Sequence, residues 1–476
     1  MVPRGGERHS EERARYWDEY AAKIDRWQRL RRFYRNRLIE VYRFLVPPGA
    51  RVLELGSGEG DLLAALRPSR GVGVDISPAM LDRARARHPD LEFVATDAHA
   101  FQSQELFDYI LLSDLVNELW DVQQVIEVVA RHAHASTRVI LNTYSRLWEL
   151  PRWIAEKLGL AMPVLPQNWL TVEDIANLML LADLEPVRAW PEIMCPVPVP
   201  LLHRLANRYL VKLWPFRWLG LTNFLVARPR GRELPGAEPV VSVVVPARNE
   251  SGNIASIFDR VPDMGAGTEL ILVEGNSADD TRQRIQEEIE RRGRPRTRFL
   301  IQPGKGKGDA VRAGFAAATG DLLMILDADL TVPPEDLPRF YRAWRAGQGE
   351  FINGVRLVYP MEHGAMRFFN LVGNKFFSLA FSWLLSQSIK DTLCGTKVLS
   401  RAHYEMIAAN RAYFGDFDPF GDFDLIFGAA KYNLKMVDLP VRYRERVYGE
   451  TNIERWRHGW VLLRMVLFAL RRIKFV

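Results

Sequence analysis

Short apolar runs alternate with longer segments of helical periodicity along the first half of the chain. The four clearest runs are residues 52–55, 71–74, 91–94 and 107–112. Uninterrupted apolar strands are typical of a parallel sheet that is buried on both faces, and alternation of strand and helix is typical of an α/β fold. We therefore predict a first α/β domain, with a Rossmann-like sheet, over residues 1–229.

The same pattern returns in the second half. Apolar runs lie at residues 240–246, 270–273, 299–301 and 322–326, again separated by helical segments. Between the halves, residues 230–239 combine Pro, Gly and charged residues without periodicity, which is typical of a linker. A second α/β domain is predicted over residues 240–476. Two domains agree with a length of 476 residues.

Helical periodicity also marks segments outside these alternating units. Residues 10–45 are charged and amphipathic with an aromatic face, and predict one or two helices. These either pack as partly solvated helices or form a lid over the site that follows. Thr171 and Asp174 have capping-box spacing before an apolar helix, which a strand should follow. Residues 368–385 predict a further apolar helix.

Residues 456–475 predict an apolar helix with one basic stripe. Arg457, Arg464 and Arg471 recur every seven residues, and Trp456 and Trp460 stand near its start. Such a helix fits the interface of an anionic membrane. It equally fits a core or interdomain helix whose arginines reach out to solvent, and the sequence leaves both alternatives open.

Composition narrows the class of protein. Hydrophobic residues make up 48% and charged residues 26% of the chain, as in a globular protein. Two cysteines give neither a disulfide framework nor a metal cluster, and the first residues contain no apolar segment of the kind found in a signal peptide, so we expect none. The longest apolar run, residues 376–389, is shorter than the ~20 residues that span a bilayer. We therefore expect a cytoplasmic protein that lies peripherally on the inner face of the membrane.

The net charge of +6 is concentrated near the end of the chain. Residues 442–476 contain nine Lys or Arg and three Glu. This is a local surface property rather than the signature of a nucleic-acid-binding protein, and we expect no nucleic-acid partner.

The stretch GKGKGDAVRAGFAAATGDLLMILDADL at residues 304–330 carries the most specific chemistry. A Gly/Lys turn leads into a helix, and an apolar strand then ends in Asp327 and Asp329. Open α/β sheets bind ligands at this end of their strands. Two carboxylates on one face can hold a hard divalent cation, which can neutralise a diphosphate leaving group. The alternative is a solvated Asp-x-Asp turn.

A glycine turn forms the corresponding feature of the first domain. The strand at residues 52–55 contains Glu54 and runs into Gly56, Gly58 and Gly60 before a helix. Glycines let the backbone approach a ligand closely, and a helix N-terminus offers free N–H groups. Asp75 ends the next strand, where a carboxylate can bind a ribose diol. The Gly-x-Gly-x-Gly spacing differs from that of dinucleotide-binding proteins.

The first domain resembles class I S-adenosylmethionine-dependent methyltransferases. The motifs that carry the resemblance are VLELGSGEG, GVGVDIS, FVATDAHAF and FDYILLSD. The resemblance implies S-adenosylmethionine as cofactor, with Glu54 and the three glycines on its methionine and ribose side, Asp75 on the ribose hydroxyls and Asp97 on the adenine edge. It identifies neither the methyl acceptor nor a base. Four residues near the cofactor end of their strands stay unassigned, namely Asp114, Asn117, Glu118 and Tyr144. His132 and His134 are expected to be solvated.

The second domain resembles family-2 glycosyltransferases of the GT-A fold. The motifs that carry the resemblance are VVSVVVPARNE, VEGNSADDT, GKGDAVRAGFAAATGD, LDADL, DTLCGTK and RYRERVYGETN. The resemblance implies a nucleotide-diphosphate sugar, with Mg²⁺ or Mn²⁺ on Asp327 and Asp329. It places the nucleotide near Pro246, Arg248, Glu250, Glu274 and Lys307, and a closing basic loop at Arg446, Tyr448 and Thr451. The chain has Glu274-Gly275 where many relatives carry two aspartates, so UDP and GDP both stay open.

Three further aspartates are candidates for catalysis: Asp391, Asp422 and Asp424. A hydroxyl acceptor needs a base, whereas an ionised phosphate acceptor does not. The alternative is that Asp422 caps a helix and Asp424 is solvated. Among relatives, the motifs are most like those of polyprenyl-phosphate sugar transferases. These usually carry an Arg and a Ser around the positions of Leu371 and Asn370, which the chain lacks although it keeps Arg356 and Arg367.

We therefore expect a bifunctional transferase. One domain should transfer a sugar, with inversion and a metal ion, to a glycan, glycolipid or polyprenyl-phosphate acceptor, and the other should transfer a methyl group. The alternatives are a polyprenyl-phosphate glycosyltransferase with an inactive or regulatory methyltransferase domain, a nucleotidyltransferase, and a scaffold protein with one inactive half. The sequence identifies neither the sugar, the two acceptors nor the oligomeric state.

Overall fold

The computed structural model describes residues 4–159, 163–197, 199, 201–231, 236–356, 358, 368–414, 421–446, 448 and 455–476. It divides into two compact units. The first comprises Met1–Arg230 and Lys474–Val476, and the second comprises Gly231–Ile473. Each unit is built around its own seven-stranded sheet.

The strands of the first unit are β1 (Arg51–Leu55), β2 (Arg70–Asp75), β3 (Glu92–Ala95), β4 (Phe107–Ser113), β5 (Ala133–Tyr144), β6 (Leu184–Pro191) and β7 (Thr222–Pro229). Their order in the sheet is β3-β2-β1-β4-β5-β7-β6. The strands β1 to β5 are parallel, and β7 is antiparallel to both of its neighbours. The strand order reverses between β1 and β4, where open α/β sheets bind ligands.

The helices of the first unit are α1 (Arg4–Leu45), α2 (Asp61–Ala65), α3 (Pro78–Arg87), α4 (Val122–Arg131), α5 (Glu149–Lys157), α6 (Val172–Leu181) and α7 (Leu202–Arg208). Two apolar clusters cover the two faces of the sheet. The α/β architecture predicted from the apolar runs is confirmed. The predicted charged segment at residues 10–45 lies within α1, which is a single helix.

Two local predictions have opposite outcomes. At the start of α6, the Thr171 side chain accepts from the backbone of Asp174 and the Asp174 carboxylate accepts from the backbone of Thr171, so the predicted capping box is confirmed. The prediction that His132 is solvated is wrong. Its ring is buried, bonds to the carbonyl of Val128 and accepts from the backbone of Ser103. Since His132 caps α4 at its C-terminus, its position after a helix concealed this structural role.

The strands of the second unit are β8 (Val241–Ala247), β9 (Thr268–Glu274), β10 (Thr297–Ile301), β11 (Leu322–Ile325), β12 (Phe351–Val355), β13 (Lys397–Ser400) and β14 (Met436–Pro440). Their order is β10-β9-β8-β11-β13-β12-β14. The strands β8 to β11 are parallel, and β13 is antiparallel to both β11 and β12. Parallel pairing brings the carboxyl ends of β8, β9 and β11 to one edge.

The helices of the second unit are α8 (Ile254–Arg260), α9 (Thr281–Arg292), α10 (Lys307–Ala317), α11 (Leu337–Arg345), α12 (Phe368–Leu385), α13 (Arg401–Ala409), α14 (Arg411–Phe414), α15 (Phe423–Lys431) and α16 (Arg455–Ala469). A π-helical turn, Leu470–Lys474, continues α16. The apolar segment predicted at residues 368–385 is α12. No helix in the described part of the chain is both long and apolar enough to cross a bilayer.

Candidate active sites

A cavity of ≈ 650 Å³ lies where the strand order of the first unit reverses. Five of the six residues predicted for the cofactor line it: Glu54, Gly56, Gly58, Asp75 and Asp97. Gly60 does not line it. This glycine instead has a left-handed backbone at the start of α2, where an added Cβ would overlap the ring of Phe93. The glycine turn therefore serves both the cavity and the packing behind it.

Glu54 presents an unusual carboxyl to this cavity. It is 2% exposed, and within the described residues its Oε2 has no hydrogen-bond partner. Burial raises the pKa of Glu54 to about 8. A buried acid of this kind favours a cationic partner, because the partner supplies the interaction that the ionised carboxylate otherwise lacks.

Asp75 holds the glycine turn in place. Its Oδ2 accepts from the backbone N–H of Gly58 at 2.8 Å, and its Oδ1 accepts from the backbone N–H of Ser77 at 2.9 Å. Burial raises the pKa of the Asp75 carboxyl despite these bonds. The carboxylate therefore shapes the turn and also faces the cavity.

Asp97 closes the far end of the cavity together with α1. Its carboxylate accepts from the Nδ1 of His99 at 2.5 Å and from the hydroxyl of Ser10. Burial alone would raise the pKa of Asp97, but these hydrogen bonds lower it to about 2. Since Ser10, Arg13 and several other residues of α1 line the cavity, the geometry favours α1 as a lid rather than as a solvated helix.

Polar side chains form a second wall of the same cavity. Asp114 accepts from the Tyr34 hydroxyl at 2.8 Å and from the Nδ2 of Asn142 at 2.5 Å. Glu118 accepts from the indole of Trp17 at 2.8 Å, and burial raises its pKa. Asp114 and Glu118 therefore line the cavity together with the predicted cofactor residues. Asn117 does not line the cavity; it is buried and its amide oxygen accepts from Thr143.

In the second unit, Asp327 lies against a cationic neighbour. Its carboxylate is 2.5 Å from the Nζ of Lys307, the first residue of α10. Burial alone would raise the pKa of Asp327, but Lys307 lowers it. Gly395 lies so close that an added Cβ would overlap both side chains. The Gly/Lys turn and the Asp-x-Asp pair of the sequence therefore form one site.

Asp329 belongs to an adjoining network. Its Oδ2 is 2.6 Å from Arg446, and its Oδ1 accepts from the Thr331 hydroxyl at 2.8 Å. Arg446 also lies 3.3 Å from Glu250. Burial and the nearby charges of Asp329 and Asp327 raise the pKa of Glu250 to about 7, against the effect of Arg446. Three carboxylates thus crowd one sheet edge.

This donor set fits a hard divalent cation. Magnesium commonly binds through one or two carboxylates and completes its shell with water and phosphate oxygens. Asp327 and Asp329 supply that number, and the Glu250 carboxyl, whose pKa is raised mainly by burial, lies at the same edge. Among the described residues, no group of three or more His, Cys, Asp or Glu forms a complete metal cage, so the remaining ligands would come from the substrate or solvent.

The predicted nucleotide residues follow the neighbouring strands. Pro246 lies on β8, and Arg248 follows it with an exposed side chain. Glu274 ends β9; it is buried, and its Oε1 accepts from the backbone N–H of Ser277 at 2.6 Å. The structure therefore brings Pro246, Arg248, Glu250 and Glu274 to the edge that carries Asp327.

Asp391 does not suit the predicted role of a catalytic base. It is 0% exposed and accepts two hydrogen bonds from the guanidinium of Arg356, at 2.7 and 2.9 Å, and one from Asn374 at 2.9 Å. Burial alone would raise the pKa of Asp391, but Arg356 lowers it to about 2. Because its oxygens are occupied and buried, Asp391 fixes the loop that leads to Gly395. Sequence spacing could not separate this role from catalysis.

The other two candidates have different environments. Asp422 is buried next to the turn, since an added Cβ at Gly421 would overlap Gly308, and its charge helps to raise the pKa of Lys307. It occupies the N-cap position of α15 without making a side-chain cap bond. Asp424 lies 3.6 Å from Arg312 and 3.8 Å from Arg411, and so is not solvated.

Some predicted residues lie outside the described part of the chain. These are Arg367 and Thr451, together with the side chains of Asn370, Leu371, Trp456 and Arg457. Tyr448 is described, and its hydroxyl is 2.9 Å from that of Ser251.

Two family models match the chain, one in each unit. Residues 52–135 match the model described as Methyltransferase domain, and residues 242–407 match the model described as Glycosyl transferase family 2. The chain joins a methyltransferase domain to a family 2 glycosyltransferase domain. The first match includes all six predicted cofactor residues, whereas Asp422, Asp424 and Arg446 lie beyond the second match, which ends at residue 407.

Curated relatives of the glycosyltransferase domain are distant. The low-salt glycan biosynthesis hexosyltransferase Agl6 of Haloferax volcanii is 28% identical over 48% of this chain and 53% of its own length. An undecaprenyl-phosphate 4-deoxy-4-formamido-L-arabinose transferase of Pseudomonas aeruginosa is 28% identical over 46% of this chain and 61% of its own length. The chain thus spans little more than half the length of these relatives.

Solved structures similar to each domain are also distant. A SAM-dependent methyltransferase of Thermotoga maritima has a TM-score of 0.36 and 16% identity, over 46% of this chain and 99% of its own. A glucosyl-3-phosphoglycerate synthase of Mycobacterium tuberculosis, in complex with Mn²⁺ and UDP, has a TM-score of 0.37 and 20% identity, over 49% of this chain and 80% of its own.

Sequence reasoning missed several residues of both domains. In the methyltransferase domain these are Tyr34, Arg13 and Arg152, which line the cavity from α1 and α5. In the glycosyltransferase domain it is Lys397, a fully buried lysine whose charge also lowers the pKa of Asp327. The signal for Lys397 was present, since it ends the quoted motif DTLCGTK, but a lysine before an apolar strand also suits a solvent-facing position.

Proposed function

We propose that the chain is a bifunctional transferase at a membrane surface. Its second unit would transfer a sugar from a nucleotide-diphosphate sugar to a polyprenyl-phosphate acceptor, and its first unit would transfer a methyl group from S-adenosylmethionine. The observation that carries the first part is the cluster of Asp327, Asp329, Lys307 and Arg446 at the carboxyl edge of the sheet.

A diphosphate donor that carries a divalent cation requires cationic residues for its phosphates and carboxylates for its metal ion. Lys307 and Arg446 would bind phosphate oxygens, since Arg matches them with its planar fork. Asp327 and Asp329 would hold Mg²⁺ or Mn²⁺, which would neutralise the leaving diphosphate. In the described structure these four side chains pair with one another, so donor and metal would replace protein contacts that already balance charge.

The transfer itself needs little from a protein base when the acceptor is a phosphate. An acceptor phosphate oxygen would attack the anomeric carbon, the bond from that carbon to the diphosphate oxygen would break, and a nucleoside diphosphate would leave with inversion. An ionised phosphate needs no deprotonation. The occupied carboxylate of Asp391 and the arginine neighbours of Asp424 support this acceptor over a hydroxyl.

The curated relatives also support a lipid phosphate, because one of them is an undecaprenyl-phosphate transferase. A hydroxyl of a glycan or glycolipid is the other acceptor class, with Asp422 as the base. The two are separated by Asp422→Asn. We expect an organic-extractable product and at most a few-fold loss of rate. A loss of more than about a hundredfold with normal donor binding would favour the hydroxyl acceptor instead.

Methyl transfer rests on the cavity of the first unit. The Oε2 of Glu54, which has no partner within the described residues, would bind the ammonium of the methionine moiety, Asp75 the ribose hydroxyls and Asp97 the adenine edge. Alignment of the acceptor supplies much of the rate in such transfers. No base is assigned, because Asp114 and Glu118 each already accept hydrogen bonds from neighbouring side chains.

Contact with the cytoplasmic face of a membrane is proposed through α16. Leu462, Met465 and Ala469 of this helix are buried, whereas Trp460, Leu463 and Leu467 are exposed beside Arg464. One side of the helix thus packs against its own unit, and the other is apolar with a basic residue. The buried side fits the alternative of a packed helix, and the exposed side fits the alternative of an interfacial helix.

A thermal-shift panel tests the donor and metal assignment. UDP- and GDP-sugars are added with and without Mn²⁺ to the wild type, to Asp329→Asn and to the matched control Asp263→Asn, which changes an exposed aspartate of the same unit. A ligand at ~100 times its Kd stabilises the fold by ~2.7 kcal/mol. We expect a metal-dependent shift with one nucleotide, kept in Asp263→Asn and lost in Asp329→Asn. No shift with any nucleotide and metal would overturn the proposal.

A further inference from the structure

Exposed apolar side chains are concentrated on two segments of the first unit. The helix α5 buries none of its side chains, and Leu150, Trp153 and Ile154 are 63%, 56% and 44% exposed. Residues 197–219 carry further exposed apolar side chains, among them Trp214 and Trp218, which are 79% and 62% exposed. More than half of the exposed large apolar side chains in the described part of the chain belong to residues 147–158 and 197–219. Monomeric soluble proteins rarely expose such a surface without a partner.

The two segments meet in a groove of ≈ 1020 Å³. Leu150 and Trp153 line it from α5, and Arg217 and Trp218 line it from the second segment. The indole of Trp148 also donates to the carbonyl of Leu219 at 3.1 Å, which joins the two segments directly. We name the exposed side chains of α5 and of residues 201–219 the apolar–basic face.

The charge of the apolar–basic face indicates which kind of partner it binds. No Asp or Glu occurs between Ile193 and Arg232, whereas Arg204, Arg208 and Arg217 are exposed cations within the face. The guanidinium of Arg217 lies 5.7 Å from the ring centre of Trp218. The two glutamates of α5 are Glu149 and Glu156, and Glu156 is paired with Arg152 at 3.1 Å. The face is therefore apolar with a positive excess.

We propose that the apolar–basic face binds an anionic lipid bilayer, so that the first unit lies on the membrane by itself. Tryptophan is enriched at bilayer interfaces because its ring is apolar and its N–H is polar. Arginines can bury their stems among acyl chains while their guanidinium groups reach lipid phosphates. A protein partner would also cover apolar surface, but 40 residues without an acidic group match an anionic surface in particular.

The same helix connects this face with the cavity. Leu150, Trp153 and Ile154 of α5 are exposed, whereas Pro151, Arg152 and Ala155 on its other side line the cavity of ≈ 650 Å³. Val197, at the start of the second segment, lines this cavity as well. If the first unit transfers methyl groups as proposed above, its cavity opens at the bilayer surface, and its acceptor is a lipid or a lipid-linked glycan.

Vesicle flotation of the full chain tests the face. Vesicles of phosphatidylcholine with phosphatidylglycerol are compared with pure phosphatidylcholine. We expect Trp214→Ser with Trp218→Ser to lower partitioning on mixed vesicles at least about tenfold. Arg204→Gln with Arg217→Gln should lower it about 25-fold on mixed vesicles and little on pure phosphatidylcholine. Both variants are made in the wild type and in a chain whose exposed α16 residues Trp460, Leu463 and Leu467 are replaced by Ser, because α16 supplies a separate contact.

Two control variants make the same kinds of substitution, apolar to Ser and Arg to Gln, outside the apolar–basic face. Leu180→Ser with Leu181→Ser changes exposed apolar residues at the far end of α6, and Arg282→Gln with Arg284→Gln removes two exposed arginines of α9. Both should partition as the wild type does. Unchanged partitioning of the face variants in both backgrounds would overturn the proposal.

A second copy of the chain is the alternative occupant. Sedimentation velocity without lipid would then show a dimer that the tryptophan variant converts to a monomer, while vesicle binding stays unchanged; that result also overturns the proposal. Binding of S-adenosylmethionine to each variant is measured by calorimetry. Since lipid binding does not depend on that cofactor, failure of the methyltransferase proposal and failure of the lipid proposal give different results.

Discussion

At the scale of single residues, the site of the first unit depends on a carboxyl that is costly to ionise. Glu54 lies on β1 and is surrounded by apolar core on one side and the cavity on the other. Its raised pKa means that the folded protein holds a proton which the unfolded chain releases near its ordinary value of 4.5. The stability that this proton supplies is complete below pH 4.5 and is lost as the pH rises through about 8.

The first prediction follows from this loss of stability with rising pH. The unfolding midpoint of the first unit should fall between pH 6 and pH 8, because Glu54 contributes about 2 kcal/mol less at pH 8. Glu54→Gln has nothing to titrate there, so its midpoint should fall about 4 to 8 °C less over the same range. Calorimetric scans at the two pH values measure this. Equal slopes for both proteins would show that Glu54 is not buried as described.

The second prediction concerns the close approach at Gly395. In Gly395→Ala the new methyl group would overlap Asp327 and Lys307, so the pair must move apart and donor binding should weaken at least about tenfold. Isothermal titration with the nucleotide-sugar and Mn²⁺ measures the loss. The control is Gly373→Ala on α12, where no atom lies within 4 Å of an added Cβ. That change should leave binding intact and stabilise the helix by about 0.5–1 kcal/mol.

At the scale of elements, strands were the most predictable features. The apolar runs before Asp75, Asp97 and Asp327 predicted parallel strands correctly. A strand that is buried on both faces is apolar at nearly every position, so its pattern is easy to identify in the sequence. Their carboxyl ends then located both sites. The strands β12 and β13 were not predicted. They pair through residues distant in sequence, with Ile352 opposite Val398, and no local pattern encodes that pairing.

Side-chain roles at these ends were less predictable. Asp391 and Asp327 were both predicted as site residues, yet the carboxylate of Asp391 is saturated by Arg356 and that of Asp327 faces Lys307 at the site. The difference arises from partners 35 and 20 residues away in the sequence. The capping box at Thr171 was predictable because both of its partners lie within four residues.

The third prediction tests that capping box. Thr171→Ala removes the hydroxyl that accepts from Asp174, so it should destabilise the first unit by about 1 kcal/mol, which corresponds to a midpoint lower by about 2–4 °C. Thr171→Ser keeps the hydroxyl and should melt as the wild type does. Chemical denaturation of the three proteins measures the difference. A loss of the same size in Thr171→Ser would assign the effect to the lost methyl group rather than the cap.

At the scale of the whole molecule, two sheets with separate cores imply two cooperative units. Each unit has its own buried clusters, and the charge networks at the sites stay within their units: Lys307 pairs with Asp327, and Asp114 accepts from Tyr34. Linking two sites raises the effective concentration of a shared substrate at the second site. A lipid acceptor at one membrane surface would serve both sites, and this shared acceptor would explain why the two units are joined in one chain.

The fourth prediction separates the two units by their ligands. The full chain should melt in two calorimetric transitions, since domains with separate cores need not unfold together. S-adenosylmethionine should raise one transition only, by the free energy RT ln(1 + [L]/Kd). The metal with its nucleotide-sugar should raise only the other. Glu54→Gln and Asp329→Asn, each in the full chain, identify which transition belongs to which unit. A single transition raised by both ligands would mean that the units unfold as one, and binding at one site would then stabilise the other.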